Sequence, residues 1–349
     1  MTMKKITTTA AILAAGTSTA FAGGLDRSTF SSAILFEKGT YAEIAYGVTT
    51  PKVSAANIPN TDIAQSFNTV KIGFKTDIGK KIAVALTYNN QPIGSDINYA
   101  GTTLGPATGN LAANVQAVAL TLLGKYKATD NFSVYGGLKY QTVSATANIA
   151  LAGLTTSNFA SESEVGYIAG VAYEKPEIAL RVALSYESEI EYQLNTTGGA
   201  STGITNASTP SAWTLEFQTG VAPKTLVFGS IRHANWGDSN IISPAGAALT
   251  EFEDTTAYTL GVGRKFTDNV SGSFALFYEA PDGGTSSELA PTDGIFGGTV
   301  GVAVKMGKGF KVSGGISYSN RGDTTGTNTA VAFGNNSVTT VGIKLSKNF

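Results

Sequence analysis

Charged residues make up only 14% of this 349-residue sequence, so the charges that fall at regular spacing inside apolar stretches are the first candidates for chemistry. Lys71 and Lys75 alternate with Val70, Ile72 and Phe74, and Lys139 and Gln141 alternate with Leu138 and Tyr140. Arg181, Glu187, Glu189 and Glu191 share one parity of a run whose other parity is Ile178, Leu180, Val182, Leu184 and Tyr186, while Glu216 shares a parity with Gln218. Two chemistries are open to such groups. Opposite charges on one face can pair into a bracing network, here Lys71, Lys75, Glu187, Glu189 and Glu216. A cation left over, Arg181 or Lys139, can hold an anionic ligand. The run Glu187-Ser188-Glu189-Ile190-Glu191 offers hard oxygen ligands for a divalent cation, but a solvated strand end accounts for it as well, and no metal or cofactor site is assigned.

Other chemistries find little to stand on. There is no cysteine, which removes disulfides and thiolate metal sites, and the single histidine, His233, cannot build a histidine-rich cluster. Asn235 lies near His233, but no suitably spaced serine accompanies them, and a nucleophile needs its base and orienting group within hydrogen-bond reach. An enzyme is therefore not expected. Gly261-Val262-Gly263 and Gly297-Gly298 sit in extended runs with no helix after them, unlike a phosphate-binding loop. A formal net charge of -1 gives no basic footprint for nucleic acid.

The elements that must carry these residues are strands. Ile82, Val84, Leu86 and Tyr88 alternate with Ala83, Ala85 and Thr87, and Phe310, Val312, Gly314, Ile316 and Tyr318 alternate with Lys311, Ser313, Gly315, Ser317 and Ser319. Successive side chains of a strand point to opposite faces, so each run has one apolar face and one small or polar face. A soluble sandwich would set many Lys and Glu on the second face. This chain uses Ala, Gly, Ser and Thr, has 41 glycines, and its mean hydropathy of +0.06 is too low for a helical membrane bundle. A barrel with lipid outside and a polar lumen fits both faces. The pattern predicts an all-β fold, a 14-stranded antiparallel transmembrane barrel, with runs at 40–50, 67–77, 80–90, 113–127, 131–148, 161–174, 177–191, 211–220, 223–232, 253–266, 269–279, 293–305, 309–319 and 336–349. Most reach the roughly 9–11 residues that cross a bilayer at a tilt.

Tight turns such as Asp77-Ile78-Gly79-Lys80 and Gly307-Lys308-Gly309 alternate with longer loops near 51–66, 91–112, 149–160, 192–210, 233–252, 280–292 and 320–335. Short periplasmic turns and long external loops belong to bacterial barrels. Tyr41, Tyr88, Tyr126, Tyr140, Tyr173, Tyr186, Trp213, Phe217, Phe266, Tyr278 and Tyr318 are candidates for interfacial girdles. Residues 1–22 read as a secretory signal peptide: Lys4 and Lys5, an apolar core over Ile6–Ala15, and an Ala20-Phe21-Ala22 cleavage site. Residues 23–39 do not alternate. They contain Arg27, Phe30 and Phe36 and are expected to fold inward as a short hatch before the barrel of residues 40–349, or else to form a periplasmic tail. The alternating end, Val341 to Phe349, is similar to the signal read by the outer-membrane insertion machinery, with Lys347 where an apolar residue is usual.

Gly23–Ala55 resembles the mature N-terminus of alphaproteobacterial members of the FadL/TodX family. Tyr88-Asn89-Asn90-Gln91-Pro92-Ile93-Gly94-Ser95-Asp96-Ile97-Asn98-Tyr99 is similar to a segment after that family's third strand, and Asn131 to Tyr140 resembles another common stretch. The resemblance extends over the mature chain. It implies an outer membrane transporter for long-chain fatty acids or aromatic hydrocarbons, a lumen hatch, and sideways release near a kinked third strand, which Pro92 follows here. The Asn-Pro-Ala hatch motif of the family's enterobacterial members is absent and the hatch is short, so no ligand residue is carried over from them. On this reading a hydrophobic small molecule is the ligand, outer membrane lipids and lipopolysaccharide surround the barrel, and uptake is passive. Arg181 or Lys139 would meet a fatty-acid carboxylate, and Leu111, Leu151, Leu154 and Phe159 would line an entrance among the long loops. An aqueous diffusion porin and a structural or adhesive surface barrel are the alternatives.

Overall fold

The computed structural model describes residues 24–105, 110–148, 156–199 and 202–349. Fourteen antiparallel strands close into a barrel. They are β1 (Tyr41–Lys52), β2 (Phe67–Ile78), β3 (Ile82–Asn89, resumed at Gly94–Asn98), β4 (Ala112–Lys127), β5 (Phe132–Asn148), β6 (Ser157–Lys175) and β7 (Leu180–Glu187, resumed at Ile190–Gly198). Then come β8 (Gly203–Thr209 and Ala212–Ala222), β9 (Thr225–Ala234), β10 (Thr255–Lys265), β11 (Val270–Glu279), β12 (Asp293–Gly307), β13 (Phe310–Gly322) and β14 (Asn336–Asn348). Each strand pairs with the next, and β14 returns to β1 with Lys344 opposite Ala45. The sheet thus closes on itself without a free edge strand among the described residues, as lipid demands of a sheet. Both barrel termini lie at the short-turn end, where the Phe349 amide donates to the Thr40 carbonyl at 2.9 Å. The expected signal peptide, Leu151 and Leu154 lie outside the described residues.

The outer surface of the barrel is apolar. Ile72, Phe74, Leu86, Leu120, Leu122, Leu138, Leu260, Val300, Ile316 and Ile343 are all exposed. An aromatic row bounds this zone on the long-loop side: Tyr186 lies between Tyr167 and Trp213 at centroid distances of 5.9 and 4.9 Å, and Tyr258, Tyr278 and Phe296 stand in register on β10, β11 and β12. Tyr126, Phe132, Tyr173, Phe266 and Phe310 mark the turn side. Amphipathic rings at both borders of an apolar band match a bilayer's two interfaces. Tyr41, a girdle candidate by sequence, instead points inward, buried, and its hydroxyl donates to Glu43 at 2.7 Å.

Above the aromatic row the faces exchange character. On β5, Val134, Leu138 and Tyr140 face outward below the row, but Thr142, Ser144 and Thr146 do so above it, where Val143, Ala145 and Ala147 turn inward. On β4, outward Leu120 and Leu122 give way to Gln116 and Asn114, with Val115 and Ala113 buried inside. Two strands achieve the same exchange by slipping one residue. β7 breaks at Ser188–Glu189, after which Ile190, Tyr192 and Leu194 are buried, although Leu180, Val182, Leu184 and Tyr186 of the same parity face outward below the break. Ser188 stabilises the slip through its amide to the Tyr167 carbonyl and its Oγ from the Tyr167 amide, both 2.9 Å. β8 flips at Pro210–Ser211, from buried Thr205 and Thr209 to buried Ala212 and Thr214. A slip of one residue turns every later side chain to the other face. The cause is solvent: lipid outside favours apolar side chains outward, while water outside favours them inward.

This overturns two expectations. The stretch 192–210 is the rest of β7 and the start of β8 rather than a loop, and part of 91–112 is strand as well. Glu189 and Glu191 do not share the inner face with Glu187. They follow the break, are exposed, and take no part in a lumen network.

Candidate functional site

The N-terminal segment lies against the inner wall. Its short 3-10 turn, Ser32–Phe36, sets Ile34, Leu35, Phe30 and Phe36 against inward-facing Ala85, Leu123, Tyr135, Ile168, Ala172 and Ala183, which come from five strands. Small inward residues leave the room; at Gly73, an added Cβ would stand 2.5 Å from Ile34. Glu216 caps the turn, accepting from the Ser31 hydroxyl at 2.6 Å, the Ser32 amide at 3.0 Å and the Ser32 hydroxyl. Lys75 donates to the carbonyls of Glu37 at 2.7 Å and Gly39 at 3.0 Å, and pairs with Asp77. Phe36 meets Tyr135 edge-on at 6.1 Å, with the Lys125 ammonium 4.3 Å and the Arg181 guanidinium 4.7 Å from its ring centroid. A cation over a ring face is held by the ring's quadrupole.

Nearer the loops, an ion-pair chain joins segment to wall. Glu187 receives Lys139 on one oxygen and Arg232 on the other at 2.8 Å, and Arg232 reaches Asp26 at 3.4 Å. The Trp236 indole N–H donates to the same Asp26 oxygen at 3.5 Å. The segment also completes a gap in the sheet. The β2–β3 ladder stops at Lys71 opposite Asn89. Beyond it, Gly94 donates to the Leu25 carbonyl at 2.8 Å, and Arg27 donates to the Pro92 carbonyl at 3.0 Å. The Arg27 side chain bonds Gln91 at 2.7 Å and stacks on Phe67 at 3.9 Å. Proline cannot donate to a ladder, so the interruption falls where Pro92 stands.

Directly above this floor lies a cavity of about 290 Å³. Leu25 and Trp236 form its base; Val115, Val143, Ala145, Phe159, Tyr192 and Leu194 are its wall; Leu111, Ile241, Leu249, Phe252 and Leu289 reach in from the loops. Val115, Val143, Ala145, Tyr192 and Leu194 are side chains that the exchange of faces set inward. Among the described lining residues only Glu288 is charged. Its carboxylate accepts from the Asn328 amide at 2.8 Å, the Asn328 side chain at 2.9 Å, the Thr329 amide at 2.9 Å and the Thr329 hydroxyl at 3.2 Å, tying the β11–β12 loop to the β13–β14 loop. In sequence, the seven long connections at this end hold eight carboxylates (Asp62, Asp238, Glu251, Glu253, Asp254, Asp282, Glu288 and Asp323) and no Lys, Arg or His.

The residues marked by sequence thus separate. Leu111 and Phe159 line the cavity. Arg181 and Lys139 do not: one lies on Phe36 near the turns and the other is bound to Glu187 below the floor. A lumen charge takes the nearest opposite charge or ring face, and both found one within the wall and segment. Lys71 projects from β2 one row from Glu43, whose carboxylate takes Lys344 at 3.1 Å. Asp26, Arg232, Trp236 and Glu288 were missed by sequence reasoning. Arg232 carried a usable signal, being a cation on the inward parity of β9 with Leu226 and Phe228.

No protein-family profile matches this sequence, and no curated protein is similar to it in sequence. Solved structures do match. A FadL homologue from Pseudomonas aeruginosa superposes with a TM-score of 0.72 at 12% identity, covering 95% of this chain and 98% of that one. The toluene transporter TodX from Pseudomonas putida gives 0.67 at 13% identity, covering 95% and 96%. The toluene transporter TbuX from Ralstonia pickettii gives 0.61 at 12%, covering 95% and 97%. Strand number, closure and near-complete mutual coverage agree, and the chain has the fold of the FadL and TodX barrels.

Proposed function

We propose that this protein is a passive outer membrane channel for hydrophobic small molecules. The observation that carries the reading is the apolar cavity at the long-loop end, floored by Leu25 of the segment folded into the lumen and by Trp236 of the β9–β10 connection. A hydrophobic solute crosses a polar lipopolysaccharide leaflet poorly. An apolar cavity gives it a place to leave water, with an order of 25 cal/mol gained per Å² of apolar surface buried, and no energy source is needed. The gap beside Pro92, closed by Arg27, adjoins the same floor and offers a sideways exit into the membrane. The solved structures that share this fold include two named as toluene transporters, which supports the same cargo class. Lipid and lipopolysaccharide would surround the barrel, and the insertion machinery would read its Phe349 end. The long-chain fatty acids implied by resemblance find no cation among the described lining residues to receive their carboxylate.

Deletion of the protein is expected to slow uptake of a radiolabelled hydrophobic solute several-fold, with full recovery on re-expression. Unchanged uptake would leave a structural or adhesive barrel as the better account. An aqueous porin predicts large ohmic steps in planar bilayers, which the segment packed across the inner wall argues against.

A further inference from the structure

We infer that the cavity sorts solutes by charge, admitting neutral apolar molecules of about ten carbons and turning away anions of the same length. This rests on the reading of the protein as a hydrophobic channel. Three observations carry it. First, the cavity is apolar and, among the described lining residues, the one charged group is an acid: Glu288 is held by four neutral donors and no cation. Secondly, the lumen cations by the floor are engaged elsewhere: Arg232 with Glu187 and Asp26, Lys139 with Glu187, and Arg27 with the Gln91 side chain and the Phe67 ring. Thirdly, the surface above is acidic. The exposed Glu251 and Glu253 flank Phe252, whose ring meets Trp236 at 5.4 Å inside the cavity, and the long connections hold eight carboxylates with no base.

A carboxylate entering here would lose its hydration and gain no counter-charge. It would also approach like charges at separations shorter than the roughly 8–10 Å over which salt screens. A neutral solute meets neither barrier. A cationic amphiphile is drawn to the acidic rim, but inside finds only Glu288, whose oxygens are already occupied. The size follows from the volume: about 290 Å³ is roughly twice the ~150 Å³ of a dry apolar cavity that takes up benzene.

The test uses a matched pair, 1-decanol and decanoate, in cells that lack or carry the full-length protein. At pH 7.5, protein-dependent uptake of decanol is expected to exceed that of decanoate at least tenfold, and the difference should close as pH falls through the carboxyl range. Decanoate entering as fast as decanol at pH 7.5 overturns the inference and leaves the channel reading standing. Protein-independent uptake of both probes overturns the two together. Because Glu251 and Glu253 are exposed, the double substitution Glu251→Lys/Glu253→Lys tests the rim without burdening the fold. It should raise decanoate uptake relative to decanol at least threefold, and an unmoved ratio removes the role given to the rim charges.

Discussion

Glu187 and Glu189 are two residues apart in an unbroken alternating run, yet one holds two cations inside the barrel and the other faces water. The difference is measurable. Glu187→Gln leaves Lys139 and Arg232 facing each other without their shared counter-charge, and breaking a buried pair in this way costs about 3 kcal/mol. The urea midpoint of the barrel folded in lipid vesicles should fall accordingly, and the N-terminal segment, tied to Arg232 only through Asp26, should become easier to cleave. Glu189→Gln should stay within about 0.5 kcal/mol of the parent, as surface substitutions do. Equal losses for the two would mean that the slip at Ser188–Glu189 is misplaced. No residue-level signal in Glu187-Ser188-Glu189-Ile190-Glu191 announces that slip. What does announce it is the apolar series Ile190, Tyr192 and Leu194 beyond, which must go inward once water lies outside.

At the level of elements, the strands inside the bilayer were readable because lipid and lumen impose opposite demands on alternate residues, and nothing else competes. Above the aromatic row those demands reverse, so one rule applied along the whole chain assigns 192–210 to a loop and misplaces the face of Glu191. The cavity sits where the rule changes sign, which is why Leu111 and Phe159 were legible as loop-end apolar residues while Trp236 and Glu288 were not. The turns obey simpler constraints. Lys224 follows Pro223 with a φ of 64°, the order that a type II turn uses, in which the second central residue is left-handed. A side chain there is strained by about 1 kcal/mol relative to glycine. Lys224→Gly is therefore expected to raise the stability of the β8–β9 hairpin by roughly that amount, read as a higher urea midpoint with unchanged uptake. A lower midpoint would show that the lysine makes a contact outweighing the strain.

Across the whole molecule, the two ends differ in both shape and charge. The long connections carry acids without bases in their sequence, whereas the turns include Lys80, Lys81, Lys224 and Lys308. Both barrel termini are at the turn end. A barrel inserted from the periplasm must pull its long connections across the membrane while its termini and turns stay behind, so the acidic end should face the cell exterior. Because the sequence has no cysteine, single substitutions give an unambiguous reading. Ala247→Cys, exposed in the β9–β10 loop, should react with a membrane-impermeant maleimide on intact cells. Ala128→Cys, exposed in the β4–β5 turn, should react only after the outer membrane is opened. The reverse pattern would place the cavity on the periplasmic side, where it could not collect solute from outside, and the direction of transport proposed here would fail with it. Labelling of neither site on opened cells would instead mean that the barrel does not sit in that membrane.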